Sequence, residues 1–305
     1  MKKAFLFLLL IIIVVTSLSA AKTSVIPDPI SPLDYDSLPE PEAGVHHYLL
    51  VCYDIWSYDE AIKGNSDGIS ILTMDTNNNR LIFTTISRET LVLKPNDKIG
   101  RITYIAKLYG PEALCEIVST HFGIKIEKYI FFRKDNIENL IDAFGGVYIT
   151  VTNSEADYLN NYRIKRDATE PSMDKAGTYW FSGHAALVYM MIRKVYVDGY
   201  KYDFSRNYRI RKVLKTLVQE NRDITLSEAV NIVYTLSENV YLTNMTMNDL
   251  MTALACAYKL KTVDMEDFQL PMEGTYEYIT YLNMQTTQAD FEANRSVFVP
   301  FINGE

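Results

Sequence analysis

The pattern of apolar positions changes along the chain from strand-like to helix-like. In the first half, short apolar runs bounded by turn-forming residues predict β-strands over residues 48–53, 69–74, 81–86, 129–132 and 147–151. Helices are predicted at 111–122 and 136–144, and later at 182–190, 205–220, 226–239 and 247–258. This order predicts an α/β fold, a single domain in which helices sandwich a mixed central β-sheet.

The first three predicted strands should bring chemistry-bearing residues together. The polar run from Asp75 to Asn79 is typical of a hairpin turn between the second and third strands. In an antiparallel meander the first and third strands share a direction, so Asp54, Asp67 and Arg88 meet at one sheet edge. We expect a ligand crevice there, with the loop of residues 55–66 forming a lid or rim over it.

The helix predicted from residue 205 carries an arginine in an unfavourable place. Arg206 lies four residues before Ile210, on the face where apolar residues recur at helical spacing. Burial and the helix dipole both disfavour a cation in the first turn. A bound phosphate would relieve both costs, and an ion pair with Asp203 is the alternative. Arg209 is expected to flank this site, whereas Arg211 is expected to be solvated.

The amino terminus has the composition of a targeting segment. Lys2 and Lys3 precede an apolar run over residues 4–18, and small residues follow at 19–21. Residues 1–21 are either a cleaved signal peptide or an uncleaved membrane anchor, with a buried core helix as the third alternative. Residues 22–43 contain five prolines and predict an extended spacer, followed by the folded domain at 44–305. The domain is therefore expected to be extracytoplasmic.

Composition and charge argue against a nucleic-acid partner, a disulfide framework and a zinc site. Hydrophobic residues make up 48% of the 305 residues, enough for a large core, and the formal net charge of −8 argues against a nucleic-acid partner. Cys52, Cys115 and Cys256 have neither disulfide nor zinc spacing and are expected to be buried small apolar residues. Carboxylates combined with arginines instead indicate a divalent metal ion and a phosphorylated ligand.

Several segments between about Tyr48 and Leu217 resemble, in order and spacing, motifs of the LytR-CpsA-Psr proteins of bacterial envelopes. Ile86-Ser87-Arg88-Glu89-Thr90 resembles the family's Ile-Pro-Arg-Asp-Thr, and Asp203-Phe204-Ser205-Arg206 resembles its Asp-Phe-Gly-Arg. The other resembling segments are residues 49–54, 65–69, 101–112, 140–147 and 182–189.

The resemblance implies a phosphotransferase at the outer face of the cytoplasmic membrane. Such proteins transfer a glycopolymer from a polyprenyl pyrophosphate carrier to peptidoglycan, and an apolar pocket between sheet and helices would hold the prenyl chain. By resemblance, Asp54 and Asp67 would hold Mg²⁺ or Mn²⁺. The residues that would act on the pyrophosphate are Arg88, Arg193, Asp203, Arg206 and Arg209.

The chain departs from the family pattern in ways that keep a second function open. Met191 stands where the family usually has the first arginine of an Arg-x-Arg pair, which leaves Arg193 alone. Other replacements are Asn65 for Arg, Ser87 for Pro, Glu89 for Asp and Ile210 for Gln. A non-catalytic scaffold or regulator that binds polyprenyl phosphate is therefore the alternative to a transferase. The acidic charge and the absence of a helix-turn-helix pattern argue against a transcriptional regulator.

Overall fold

A computed structural model describes residues 25–56, 64–161, 172–238 and 240–305. The strands are β1 (Val45–Tyr53), β2 (Ser66–Asp75), β3 (Arg80–Ile86), β4 (Leu91–Leu93), β5 (Ile99–Arg101), β6 (Lys128–Phe132), β7 (Val147–Val151), β8 (Gly177–Phe181), β9 (Leu242–Thr243), β10 (Met265–Leu270), β11 (Tyr276–Tyr281) and β12 (Met284–Ala289). The α-helices are α1 (Ile105–Tyr109), α2 (Pro111–Phe122), α3 (Lys134–Ala143), α4 (Asn153–Asn161), α5 (Gly183–Met190), α6 (Tyr202–Glu220), α7 (Leu226–Glu238), α8 (Met247–Leu260) and α9 (Phe291–Asn303).

A six-stranded mixed sheet in the order β10-β3-β2-β1-β6-β9 forms the centre of the molecule. Strands β1, β2 and β3 form an antiparallel meander, while β6 is parallel to β1 and β10 is parallel to β3. The predicted hairpin turn ends at Asn79, whose φ of 53° is the left-handed conformation that asparagine tolerates. The predicted α/β class, mixed sheet and meander are confirmed.

Helices cover both faces of this sheet because its strands are apolar on both faces. On one face, Leu49 and Val51 of β1 pack with α1, α2 and α9. On the other face, Tyr48 and Leu50 of β1 belong to a cluster that includes residues of α6, α7 and α8. A third cluster joins α3, α4, α5 and α6 to the β7–β8 pair.

Parts of the second half differ from the prediction. Residues 147–151 form a strand as predicted, but β7 pairs with β8 in a separate two-stranded sheet. In this half, strands β8 to β12 and helices α4 and α9 were not predicted, and in the first half β4, β5 and α1 were not predicted. The pattern did not predict β10 because the consecutive acidic residues Glu266 and Asp267 interrupt the apolar/polar alternation of a strand. In the structure, Glu266 and Asp267 pair with arginines of neighbouring elements.

The proline-rich segment is extended, but it is not a free spacer. The amide of Val25 donates to the carbonyl of Thr280 at 2.8 Å, and the amide of Leu33 donates to that of Thr120 at 2.9 Å. Leu38 is buried. Residues 25–43 therefore pack along the domain.

Two further predictions concern residues outside the described ranges. They are the targeting segment at 1–21 and the centre of the expected lid, residues 57–63. Within the described residues, no helix combines the length and apolarity needed to cross a membrane.

Candidate active site

A β-bulge between β1 and β2 directs Asp67 into the site. Cys52 pairs with Gly68 and Tyr53 pairs with Ser66, so Asp67 is the extra residue of the bulge. Such an insertion breaks the ladder locally and re-aims the side chain it carries. Arg88 follows the end of β3 at the same edge, and its guanidinium pairs with the Asp67 carboxylate. The predicted convergence of these two residues is confirmed.

Asp67 is shared by three arginines from different parts of the chain. Besides Arg88, its carboxylate pairs with Arg193 Nη2 at 3.1 Å and Arg206 Nη1 at 3.4 Å. Arg193 lies in the segment after α5, and Arg206 lies in the first turns of α6. These elements are far apart in sequence, so the cluster depends on the tertiary fold.

Asp203 belongs to the same cluster through its contacts with Arg88 and Arg206. Its carboxylate accepts from Ser87 Oγ at 3.1 Å and the Arg88 backbone amide at 3.0 Å, and it pairs with Arg206 Nη2 at 2.8 Å. Asp203 is 2% exposed and Arg206 is 3% exposed. The ion pair considered as an alternative for Arg206 is thus present, together with the contact to Asp67. Arg206 Nε nevertheless has no hydrogen-bond partner among the described residues.

Three arginines of the cluster share two carboxylates, those of Asp67 and Asp203. Burial, followed by repulsion from Arg206, lowers the pKa of Arg88 to about 10. Burial and Arg206 also lower the pKa of Arg193. Burial, then Asp203, raises the pKa of Glu89, which follows Arg88. The arginines remain charged at neutral pH, and an added anion would relieve their repulsion.

An apolar cavity of about 480 Å³ reaches the cluster at Asp67 and Arg206. It lies between the sheet and helices α3, α6, α7 and α8. The residues that line it include Leu50, Leu72 and Phe83 from the sheet and Ile210, Leu214, Val233, Leu236 and Leu254 from the helices. Met191 also lines it. The expected apolar pocket between sheet and helices is therefore confirmed.

Asp54 lies at the end of β1, where its backbone amide donates to the carbonyl of Asn65 at 2.9 Å. Its half-exposed carboxylate pairs with Lys134, while Asp67 pairs with arginines. Within the described residues, no three His, Cys, Asp or Glu side chains are grouped to hold a metal. Mg²⁺ commonly takes one or two carboxylates plus substrate phosphates, so Asp54 and Asp67 have donor chemistry that fits this ion.

Arg209 does not lie with the other predicted arginines. It is fully buried, and its Nε pairs with Glu155 at 2.8 Å. Its Nη1 and Nη2 donate to the carbonyls of Ile192 and Val195 at 3.0 and 2.8 Å. The prediction that Arg209 contacts the ligand is therefore corrected. Its guanidinium instead holds the segment that carries Arg193 through the carbonyls on either side of that residue.

Arg211 was wrongly expected to be solvated. It is 4% exposed and bonds to Thr85 at 2.6 Å, to Asp267 at 3.0 Å and to Gln269 at 3.1 Å. Two of these partners belong to β10, which the sequence pattern did not reveal. The polar side chains of β10 lie beneath α6 and make this face polar.

Sequence reasoning missed Lys134 and the roles of Ser87 and Glu89. Strand β6 is parallel to β1 and ends at Phe132 beside Cys52, so Lys134, two residues later, reaches the edge where Asp54 lies. A parallel partner for β1 would have indicated Lys134. No local signal marked Ser87 as the hydroxyl donor to Asp203.

The chain is similar to known proteins over most of its length. Residues 44–296 match the model of the LytR_cpsA_psr family. The chain is 28% identical over 240 residues to Biofilm regulatory protein A of Streptococcus mutans, covering 74% of this chain and 56% of that protein. It is 26% identical over 227 residues to the polyisoprenyl-teichoic acid–peptidoglycan teichoic acid transferase TagU of Oceanobacillus iheyensis, covering 71% and 66%. The chain thus spans less than two thirds of the length of either relative.

The fold is also shared with a solved structure. The crystal structure of TagV from B. subtilis superposes with a TM-score of 0.65 at 22% identity, covering 85% of this chain and 97% of that one. At this identity the likeness concerns the fold, including the mixed sheet between helices.

Proposed function

The chain belongs to the LytR-CpsA-Psr family, and from this premise we propose that it is a phosphotransferase that attaches a polyprenyl-pyrophosphate-linked glycopolymer to peptidoglycan. The glycopolymer would be of the teichoic acid or capsule type, in keeping with the name of the relative TagU. The protein would act at the outer face of the cytoplasmic membrane, with residues 1–21 as anchor or signal.

One observation carries the proposal: the apolar cavity opens directly onto the cationic cluster. Asp67 and Arg206 belong to both. A polyprenyl pyrophosphate has the same division, an apolar chain joined to a small, highly charged group. The buried and unpartnered Nε of Arg206 supports an anion at this junction, because an unsatisfied buried donor is costly.

The reaction needs positioning and charge neutralisation rather than a covalent protein intermediate. The acceptor hydroxyl attacks the phosphorus bonded to the sugar, and the bond from that phosphorus to the bridging oxygen breaks. Polyprenyl phosphate leaves with the bond electrons, and the hydroxyl proton passes to a base. Arg88, Arg193 and Arg206 would stabilise the charge on the phosphate oxygens.

A divalent cation is part of this proposal. Asp54 and Asp67 would hold Mg²⁺ or Mn²⁺, which would neutralise pyrophosphate charge. Binding would require the carboxylates to exchange their present partners, Lys134 and the arginines, for the ion.

A second candidate is the non-catalytic scaffold that binds polyprenyl phosphate. Met191 favours it, because this apolar side chain lines the cavity two residues before Arg193, where the family pattern has a further cation. The retained cluster of Asp67, Arg88 and Arg206 favours the transferase.

Turnover distinguishes the two candidates. The purified protein is incubated with a polyprenyl-pyrophosphate-linked saccharide, Mg²⁺ and peptidoglycan fragments, and the products are analysed by mass spectrometry. A transferase gives saccharide joined to peptidoglycan through a phosphodiester. Binding of the lipid-linked donor without this product would support the scaffold instead. An Asp67→Asn variant serves as the control for metal dependence.

A further inference from the structure

Three partly exposed tyrosines next to the cationic cluster contact one another edge to face, with interplanar angles of 68° and 77°. Tyr196, Tyr202 and Tyr278 are 51%, 39% and 38% exposed. The ring centroids of Tyr196 and Tyr202 are 5.5 Å apart, and those of Tyr202 and Tyr278 are 5.3 Å apart. We call this surface the tyrosine platform.

The tyrosine platform is built onto the residues of the site. Tyr202 directly precedes Asp203, and Phe204, which follows, is buried and stacks on Tyr276 with centroids 4.6 Å apart. The hairpin that carries Tyr278 is tied to the loop after β3 by the Thr287 amide, which donates to the carbonyl of Glu89 at 3.0 Å. The platform and the cluster are therefore held in one fixed relation.

The backbone of Tyr202 is strained. Its φ is 53°, in the left-handed region that bulky side chains rarely occupy. Such strain persists where the surrounding structure enforces it, and it concentrates at functional sites. Here it places a large aromatic ring partly in solvent instead of in the core.

The tyrosine platform and the apolar cavity adjoin different parts of the cluster. The cavity reaches the cluster at Asp67 and Arg206. The platform adjoins Asp203 through the preceding Tyr202, and it adjoins Glu89 through the hairpin that carries Tyr278. In phosphoryl transfer the attacking and leaving oxygens lie roughly in line on opposite sides of the phosphorus. If the lipid phosphate leaves toward the cavity, the attacking hydroxyl would approach from outside the cavity, and none of the three tyrosines lines the cavity.

We propose that the tyrosine platform binds the acceptor glycan by stacking its rings on the apolar faces of the sugars. This inference rests on the proposed function for its choice of acceptor over donor glycan. Tyrosine suits the task because it has an apolar ring face and a hydroxyl for the sugar's polar groups. The platform would fix the glycan so that one hydroxyl faces the phosphorus.

Direct binding tests the proposal without requiring turnover. An N-acetylglucosamine tetramer is titrated into the wild type and into Tyr202→Gly and Tyr278→Ala, with affinity measured by NMR or calorimetry. Each variant should weaken binding roughly two- to tenfold. Tyr202→Gly also removes the backbone strain, so its melting temperature should stay unchanged or rise while binding falls. Absence of saccharide binding to the wild type, or equal binding by the variants, would overturn the proposal.

Tyr148→Ala is the matched control. Tyr148 is a similarly exposed tyrosine whose amide contacts Glu220 at the far end of α6, about 27 Å along the helix from Tyr202. It should bind the saccharide like the wild type, and equal weakening by Tyr148→Ala would contradict a localised platform.

Turnover kinetics then distinguish recognition of the acceptor glycan from recognition of the donor glycan. In an active preparation, the Tyr202→Gly and Tyr278→Ala variants should raise KM for the acceptor and leave KM for the lipid-linked donor unchanged. A rise confined to the donor would overturn the acceptor assignment. If the protein lacks transferase activity, the binding result still decides whether the platform recognises a glycan, so failure of the proposed function is distinguishable.

Discussion

Arg206 and Arg209 lie three residues apart on one helix, and both are almost fully buried, yet their surroundings differ. Arg209 has protein partners for Nε and both terminal nitrogens, with the matching buried charge supplied by Glu155. Arg206 shares Asp67 and Asp203 with other arginines and keeps an unpartnered Nε. Burial alone therefore does not distinguish the two arginines, whereas incomplete pairing beside the cavity marks Arg206 as the one that we propose binds the ligand.

The ion pair of Arg209 with Glu155 and the cluster around Arg206 also differ in how their charges are balanced. A complete ion pair stabilises the fold only when both charges are present, because either alone is costly to bury. In the cluster, several guanidinium groups surround shared carboxylates, and burial, followed by repulsion from Arg206, lowers the pKa values of Arg88 and Arg193. Such an arrangement is suited to an added anion.

The largest expected effect is on stability, at Arg209. Arg209→Met leaves the Glu155 carboxylate buried without its cation, which should cost about 3–5 kcal/mol of unfolding free energy. Thermal unfolding should show a fall in melting temperature of roughly 10 °C. The double variant Arg209→Met/Glu155→Gln should recover part of this loss. An unchanged melting temperature in the single variant would contradict the structural role of the pair.

A smaller effect, on function, is expected at Arg193. Its side chain is 39% exposed, so Arg193→Gln should leave the melting temperature nearly unchanged. Loss of one charge-assisted contact to phosphate, about 1.5–3 kcal/mol, should lower kcat/KM or donor affinity roughly ten- to hundredfold. If Arg193→Gln mainly lowers the melting temperature, Arg193 stabilises the fold as Arg209 does, and the proposed contact to phosphate is contradicted.

A cation added at residue 191 should raise donor affinity or activity, whereas removing the charge of Arg193 should lower it. Met191 is partly exposed at the cavity, so Met191→Arg can extend toward the phosphate without burying its charge. An affinity or activity gain of about tenfold is expected if the wild-type site lacks this contact. The test measures donor affinity and melting temperature together. A stable variant with wild-type affinity would show that residue 191 does not face the phosphate.

The smallest effect concerns the pH dependence of stability at Glu89. Its raised pKa means that the folded state holds this proton more tightly than the unfolded state. The residue's contribution to the free energy of unfolding therefore decreases as pH rises through the unfolded and then the folded pKa. Glu89→Gln should be more stable than the wild type near neutrality, and this advantage should shrink near pH 4. Melting curves at both pH values test this, and a variant less stable at neutrality would contradict the sign.

Much of the sheet could be predicted because its strands obey simple local rules. The runs over residues 69–74 and 81–86, separated by Asp75 to Asn79, specify a hairpin by composition alone. That hairpin and the direction of β1 were sufficient to bring Asp67 and Arg88 to one edge. The bulge that directs Asp67 left no trace in the sequence, since it is a property of the pairing register.

The roles of the arginines could not be read from helical spacing. Helical periodicity places residues on a face, but it does not say what covers that face. Arg209 is paired because α4 brings Glu155 beneath it, and Arg211 is paired because β10 brings Asp267. Neither element was predicted, so both arginines were misjudged.

We propose that the apolar cavity and the arginine cluster together bind one amphipathic ligand. The most direct measurement is a crystal structure of the protein with geranylgeranyl pyrophosphate and Mg²⁺. We expect the prenyl chain in the cavity beside Leu72 and Leu214, and a phosphate oxygen within hydrogen-bond distance of Arg206 Nε. A pyrophosphate bound away from Asp67 and Arg206, or a prenyl chain outside the cavity, would contradict it.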